Sequence, residues 1–257
     1  MYQAKIDLLL FSKYPEIGTQ ALEQVLKTTE KFENFRLFYI SNGHPRVTNS
    51  PKVVYMDSVE IGSIVMNPLL EESLNQKREY FGLINDDVWV VDGWLEDVLE
   101  KLSEGYLLIA SGTADTDDYE HFLKVVEQTK DEKGVDDYLM SGTFIADCKL
   151  FRKIGLLDDR FTGACDDMDI IWRLYLNKIP SGSSRKITMG HWVGTSTSTG
   201  NRVSTQALGD WYKKHKKMKA LFESKHGYES YLHVAKRMKQ TYKNYFKQFR
   251  YLKREQT

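Results

Sequence analysis

The chain has 257 residues, 41% of them apolar and 12% aromatic, enough for one sizeable α/β core plus an appendage and too apolar for disorder as a whole. Its 36 Lys and Arg match 36 Asp and Glu, which excludes a strongly basic or acidic chain taken whole. Its two cysteines, Cys148 and Cys165, form no disulfide framework and no metal pattern, so free thiols in a reducing, cytoplasmic compartment are expected.

Taken in chain order, the apolar run Ile6 to Phe11 is far shorter than a signal-peptide core or a membrane span and carries Asp7. It reads as the first buried strand of a parallel sheet. Leu22, Val25, Leu26 and Phe32 mark a helical face, and Arg36 to Ile40 forms the next strand, ending in Ser41-Asn42-Gly43. A short strand, Val53-Val54-Tyr55, precedes a helix carrying Ile64, Leu69, Leu70 and Leu74, which leads to the strand Tyr80 to Ile84. This alternation predicts a βαβ domain whose right-handed crossovers bring the strand ends to one rim.

The fourth of these strands ends in Asn85-Asp86-Asp87, before Val88-Trp89-Val90. Such a triplet is ordinary turn chemistry. It also points two adjacent acids beyond the carboxyl end of a strand, where open α/β sheets bind ligands, and adjacent acids there suit a divalent metal. A second cluster, Asp166-Asp167-Met168-Asp169, lies roughly eighty residues downstream and opens an amphipathic helix, Ile170 to Leu176. One acid satisfies a helix N-terminus; three exceed that need. Crowded carboxylates raise one another's proton affinity, which suits one of them to general-base work.

These pieces stand in a definite order: Asn85-Asp86-Asp87-Val88, Asp92-Gly93-Trp94-Leu95, Ser141-Gly142-Thr143-Phe144, Gly155 to Phe161, Asp166 to Asp169, and Gly190-His191. In that order and spacing, residues 5 to 200 resemble a family 2 glycosyltransferase. The resemblance implies a GT-A (Rossmann-like) α/β fold, a mixed, mostly parallel sheet flanked by helices. It also implies an inverting transfer of a sugar from a nucleoside diphosphate sugar, a UDP-sugar foremost, with Mn2+ or Mg2+.

Carried onto this chain, the resemblance places nucleotide contacts at Phe11, Ser12, Ser41, Asn42, Gly43, Asn67 and Asn85, with Asp86 on the sugar or ribose. Asp87 matches the metal-binding acid of the family's Asp-any-Asp motif, whose first position here is Asn85, and His191 completes the metal shell. Asp167 matches the base, with Asp166 and Asp169 as alternatives. Ser141-Gly142-Thr143 would line the acceptor side, and the stretch Gly194 to Gly200 would form a lid over the diphosphate.

Past residue 201 the composition changes. Residues 202–257 hold 15 Lys and Arg against 4 Asp and Glu, a balance of +11, so residues 1–201 hold 21 against 32 and carry −11. A boundary is therefore expected there, between a catalytic domain of residues 1–201 and a basic, aromatic-rich helical extension of residues 202–257. Ala235, Met238, Tyr242, Tyr245, Phe249 and Leu252 recur at three and four residues, an apolar stripe with lysines and arginines on the other faces. The stripe would pack on the catalytic domain or on a second copy in an oligomer, lie on an anionic membrane, or leave its basic faces to grip nucleic acid. The acceptor is accordingly a hydroxymethylated base in DNA, viral DNA included, favoured by the interleaving of Tyr and Lys, or a lipid-linked or cell-surface glycan. A non-catalytic sugar-nucleotide or polyanion binding module is the reading from another class. No Gly-rich phosphate loop with a following Lys opens the first helix, which argues against a nucleotidyltransferase.

Overall fold

A computed structural model of the chain describes residues 2–12, 15–41, 46–58, 62–116, 118–136, 143–162, 165–192 and 205–236. The sequence runs β1 (Ile6–Ser12), α1 (Pro15–Thr28), β2 (Phe35–Ser41), β3 (Val53–Asp57), α2 (Ser63–Asn75), β4 (Tyr80–Asn85), β5 (Val88–Val90) and α3 (Trp94–Ser103). It continues through β6 (Leu108–Thr116), α4 (Tyr119–Thr129), β7 (Val135–Asp136), β8 (Phe144–Asp147), α5 (Cys148–Ile154), α6 (Asp166–Leu176), β9 (Ser181–Trp192) and α7 (Thr205–His226), with residues 228–236 helical after it.

Among the described residues, nine strands form one sheet in the order β3-β2-β1-β4-β8-β6-β9-β5, with β7 also on β9. Six strands, β1 to β4, β6 and β9, run one way, while β5, β7 and β8 run against them. The expected mixed, mostly parallel sheet flanked by helices is therefore present.

Strand β1 explains why its sequence is almost unbroken apolar. Ile6, Leu8 and Leu10 face the cluster beneath α1 and α3, and Leu9 faces the one beneath α2, α5 and α6. A strand covered on both faces has no solvent side on which to alternate. Asp7, wholly buried on that strand, is compensated: Arg36 donates to both its oxygens at 3.0 and 2.6 Å, Ser73 donates at 2.6 Å, and Arg78 lies 2.8 Å away.

Two expected elements differ in extent. The first helix ends at Thr28, and Phe32 sits beyond it, fully buried in the core beneath α1. Thr28 and Thr29 turn their hydroxyls onto the carbonyl of Val25, a local bond that competes with helix propagation. A last strand, which the sequence predicts at Lys186 to Met189 before Gly190-His191, covers Ser181–Trp192, because β6 and β7 both extend its pairing.

The basic extension begins as a docked helix. Met218 and Phe222 of α7, with Val234 beyond it, bury themselves against Phe161, Cys165 and Met168 at the start of α6. Ala235, the first residue of the expected stripe, packs at the edge of this cluster. The rest of the stripe, and the expected boundary near residue 201, lie outside the described residues. No described helix is long and apolar enough to cross a membrane.

Candidate active site

Parallel pairing brings the expected nucleotide residues together. Ser12 lies opposite Ser41 across β1 and β2, and Phe11 lies opposite Asn85 across β1 and β4, so three strand ends meet on one rim. Ser12 and Ser41 are buried, and Phe11 and Asn85 half-buried. Ser12 hydrogen-bonds the Tyr39 phenol, whose pKa burial nevertheless raises. The start of α1 presses on this pair: a Cβ on Gly18 would lie 1.8 Å from Ser12 Oγ and 2.6 Å from Tyr39 Oη. Only glycine allows that approach.

The triplet supplies a second group on the same rim. Strand β9 pairs antiparallel with β5, setting His191 opposite Val88, and parallel with β6, setting His191 opposite Asp115. His191 Nδ1 stands 2.9 Å from Asp115 Oδ1, and its Nε2 stands 3.4 Å from Asp87 Oδ2. Burial opposes a charge on this imidazole, but hydrogen bonds to Asp115 and Asp87 prevail and raise its pKa to about 10. Asp87 is itself buried, and its Oδ1 has no hydrogen-bond partner.

Asp87 and His191 are thus neighbours, as expected. Among the described residues no group of three or more His, Cys, Asp or Glu is arranged to hold a metal ion. The pair still fits one as a partial shell. A buried carboxylate oxygen without a partner is costly unless something binds it, and an imidazole whose Nδ1 faces a carboxylate turns Nε2 to the other side, where it can ligate an ion that displaces its proton.

The acidic cluster reaches the same rim by another route. Helix α2 returns from that rim, and its first residue, Ser63, donates to the carbonyls of Asp158 (3.0 Å) and Phe161 (2.8 Å). The loop leading into α6 is therefore held beside the strand ends. Cys165 precedes the helix at φ 61°, a left-handed conformation that costs a non-glycine residue energy and re-aims the chain.

Within the cluster the three acids diverge. Asp169 is fully buried, with Lys225 Nζ and His226 Nε2 of α7 each 2.7 Å from its Oδ1 and Arg173 Nε 2.9 Å from its Oδ2. Asp167 is half-buried, and its Oδ1 accepts the Met168 N–H at 2.8 Å. Asp166 is also half-buried; burial first, and then the charge of Asp167, raise its pKa to about 6, with Lys214 of α7 opposing.

Asn67 serves the scaffold. Its amide donates to Leu157 O (2.8 Å) and accepts from Leu157 N–H (3.0 Å), binding α2 to the loop before α6. Asp86 is half-buried close enough to Tyr39 to act on its phenol. Thr143 is buried at the start of β8. Asn42, Gly43, Ser141, Gly142 and the expected lid lie outside the described residues.

Two solved structures share this arrangement of elements. GalNAc-T7, solved with UDP, GalNAc and Mn2+, superposes with a TM-score of 0.53 at 11% identity, over 74% of this chain and 44% of that one. The mannosyltransferase PcManGT from Pyrobaculum calidifontis, solved with GDP-Man and Mn2+, gives 0.55 at 8% identity, over 76% and 58%.

The fold is GT-A.

At these identities the likeness concerns the fold, and this chain spans about half the length of either GT-A protein. No protein-family model and no curated protein matches the sequence. Against the GT-A frame, the residue that sequence reasoning missed is Asp115. Its signal was present: Leu108-Ile109-Ala110, then Ala114-Asp115, an apolar strand closing in an acid as β4 does.

Proposed function

We propose that this chain is a metal-dependent glycosyltransferase that moves a sugar from a nucleoside diphosphate sugar to an acceptor hydroxyl with inversion. The observation that carries the reading is the meeting of Asp87 and His191 on the rim where Ser12, Ser41 and Asn85 also end, within a GT-A fold. GalNAc-T7 and PcManGT, solved with UDP and GDP-Man respectively and both with Mn2+, support a nucleotide-sugar donor and a divalent ion here.

In this reading Asp87 and His191 would hold Mn2+ or Mg2+. When bound, the ion neutralises the charge that grows on the leaving diphosphate. Ser12, Ser41 and Asn85 seat the nucleotide, and Asp86 reaches towards ribose or sugar. The base is the Asp166–Asp167 pair. An acid with a pKa near 6 is ionised at neutral pH yet retains proton affinity, as general-base work requires. Asp169, committed to Lys225, His226 and Arg173, serves as an anchor.

The acceptor in this reading is a hydroxyl on DNA, as on a hydroxymethylated base. Its support is α7: residues 213–226 carry six Lys against one Glu, and Lys214 acts on Asp166. The test is release of nucleoside diphosphate from UDP- and GDP-sugars with Mn2+, with and without hydroxymethylated DNA, for the wild type and Asp87→Asn. Metal-dependent release, lost in the variant and stimulated by DNA, is expected. Stimulation by lipid-linked acceptors alone would move the acceptor to the membrane, and binding without release would leave a sugar-nucleotide module.

A further inference from the structure

We infer that Asp115 is a positioning residue for the metal pair: it fixes the tautomer and ring plane of His191 so that Nε2 faces Asp87. The inference rests on the proposed metal role of Asp87 and His191. Three strands enforce the geometry. Asp115 and His191 are direct partners across the parallel pair β6 and β9, and Val88, next to Asp87, is the partner of His191 across β5 and β9. Directly paired residues project to one face of a sheet, which sets Asp115 beside the imidazole, and Asp87, in the bend just before β5, reaches it from the other side.

The two flanks are unequal. Asp115 Oδ1 is at 2.9 Å from Nδ1, a full hydrogen bond, whereas Asp87 Oδ2 stands off Nε2 at 3.4 Å. Asp115 is about a quarter exposed and so meets water on its far side, whereas the Asp87 side chain is 7% exposed and its Oδ1 is orphaned. A proton on Nδ1, held by Asp115, leaves Nε2 facing the Asp87 carboxylate across 3.4 Å, where a second proton bridges them in the metal-free protein and a divalent ion would take its place. Gly190, one residue before His191, keeps this strand close: a Cβ there would lie 2.9 Å from the Trp89 ring and 3.0 Å from Phe122.

The experiment measures Mn2+ affinity directly, by electron paramagnetic resonance of free Mn2+, with UDP or GDP present and no sugar or acceptor. Wild type is compared with Asp115→Asn, Asp115→Ala and Asp87→Ala, each checked for a wild-type circular dichroism spectrum. The nitrogen chemical shifts of His191 report the protonation and hydrogen bonding of its two ring nitrogens in the same proteins without metal. Asp115→Ala is expected to weaken Mn2+ binding by about 10- to 100-fold and to shift the His191 Nδ1 resonance. Asp115→Asn, which keeps an acceptor for Nδ1–H, is expected to fall between wild type and Ala. Wild-type affinity in Asp115→Ala, with binding lost in Asp87→Ala, would overturn the positioning role and leave the metal reading standing. Equal losses in Asn and Ala would overturn the orienting hydrogen bond. Absence of Mn2+ binding by the wild type would overturn both.

Discussion

Lys225 of α7 places its ammonium 2.7 Å from Asp169 and 2.8 Å from Asp158, joining the helix that follows the sheet to the helix and loop that present the acidic cluster. The basic extension is thus tied by charge, as well as by Phe222 and Met218, to the elements that carry Asp166 and Asp167. Removing the buried partner is the severe change. Asp169→Ala removes the buried acid that Arg173, Lys225 and His226 share and is expected to cost about 3–5 kcal/mol, read as a lower urea midpoint. Lys225→Ala leaves Asp169 with Arg173 and His226 and should cost less.

Asp166 sets stability against its proposed role as base. Its pKa is raised in the fold to about 6 from an ordinary 3.8, so the folded state holds a proton that the unfolded chain releases. Its contribution to stability is therefore full below about pH 4 and is lost as pH rises towards 6. Asp166→Asn is expected to melt higher than wild type at pH 8 and to match it near pH 4, while losing turnover if the acid serves as base. A variant less stable than wild type at pH 8 would show that Asp166 is held by partners rather than strained.

Gly18→Ala forces a methyl into the space of Ser12 Oγ and Tyr39 Oη. Ser12 must move off the rim, and nucleotide affinity is expected to drop about tenfold or more while Mn2+ binding to Asp87 and His191 persists. Titration of UDP and GDP into the variant checks this. Unchanged affinity would mean that the base and ribose do not touch Ser12.

Lys216 and Lys217 are exposed on α7, away from the buried stripe of Met218 and Phe222. If DNA is the acceptor, Lys216→Glu with Lys217→Glu should weaken its binding and reduce the slope of log affinity against log salt by about 2. DNA binding with the wild-type slope would remove this face from the acceptor path.

The sheet was legible because its strands are buried on both faces, and the runs at residues 6–11, 36–40 and 80–84 leave little alternative. The pairing of Asp87 with His191 was legible only through resemblance, since 104 positions separate them and no local pattern encodes register across β5 and β9. Asp115 was overlooked because a single acid at a strand end looks like a turn residue, whereas adjacent acids attract notice. Asn67 illustrates the converse: a polar side chain amid apolar neighbours looks available for ligand, yet both ends of its amide are spent on Leu157. The three acids at 166, 167 and 169 look equivalent in one dimension. They separate only when α7 docks and delivers Lys225 and His226 to one of them.

Strand β9 enters last in chain order, yet it pairs with β5, β6 and β7 and alone brings His191 to Asp87. Under the proposed metal role of Asp87 and His191, both donors meet only once this closing strand is in place, so metal retention would report completed folding, and variants that loosen β9 should shed the ion before they lose the nucleotide.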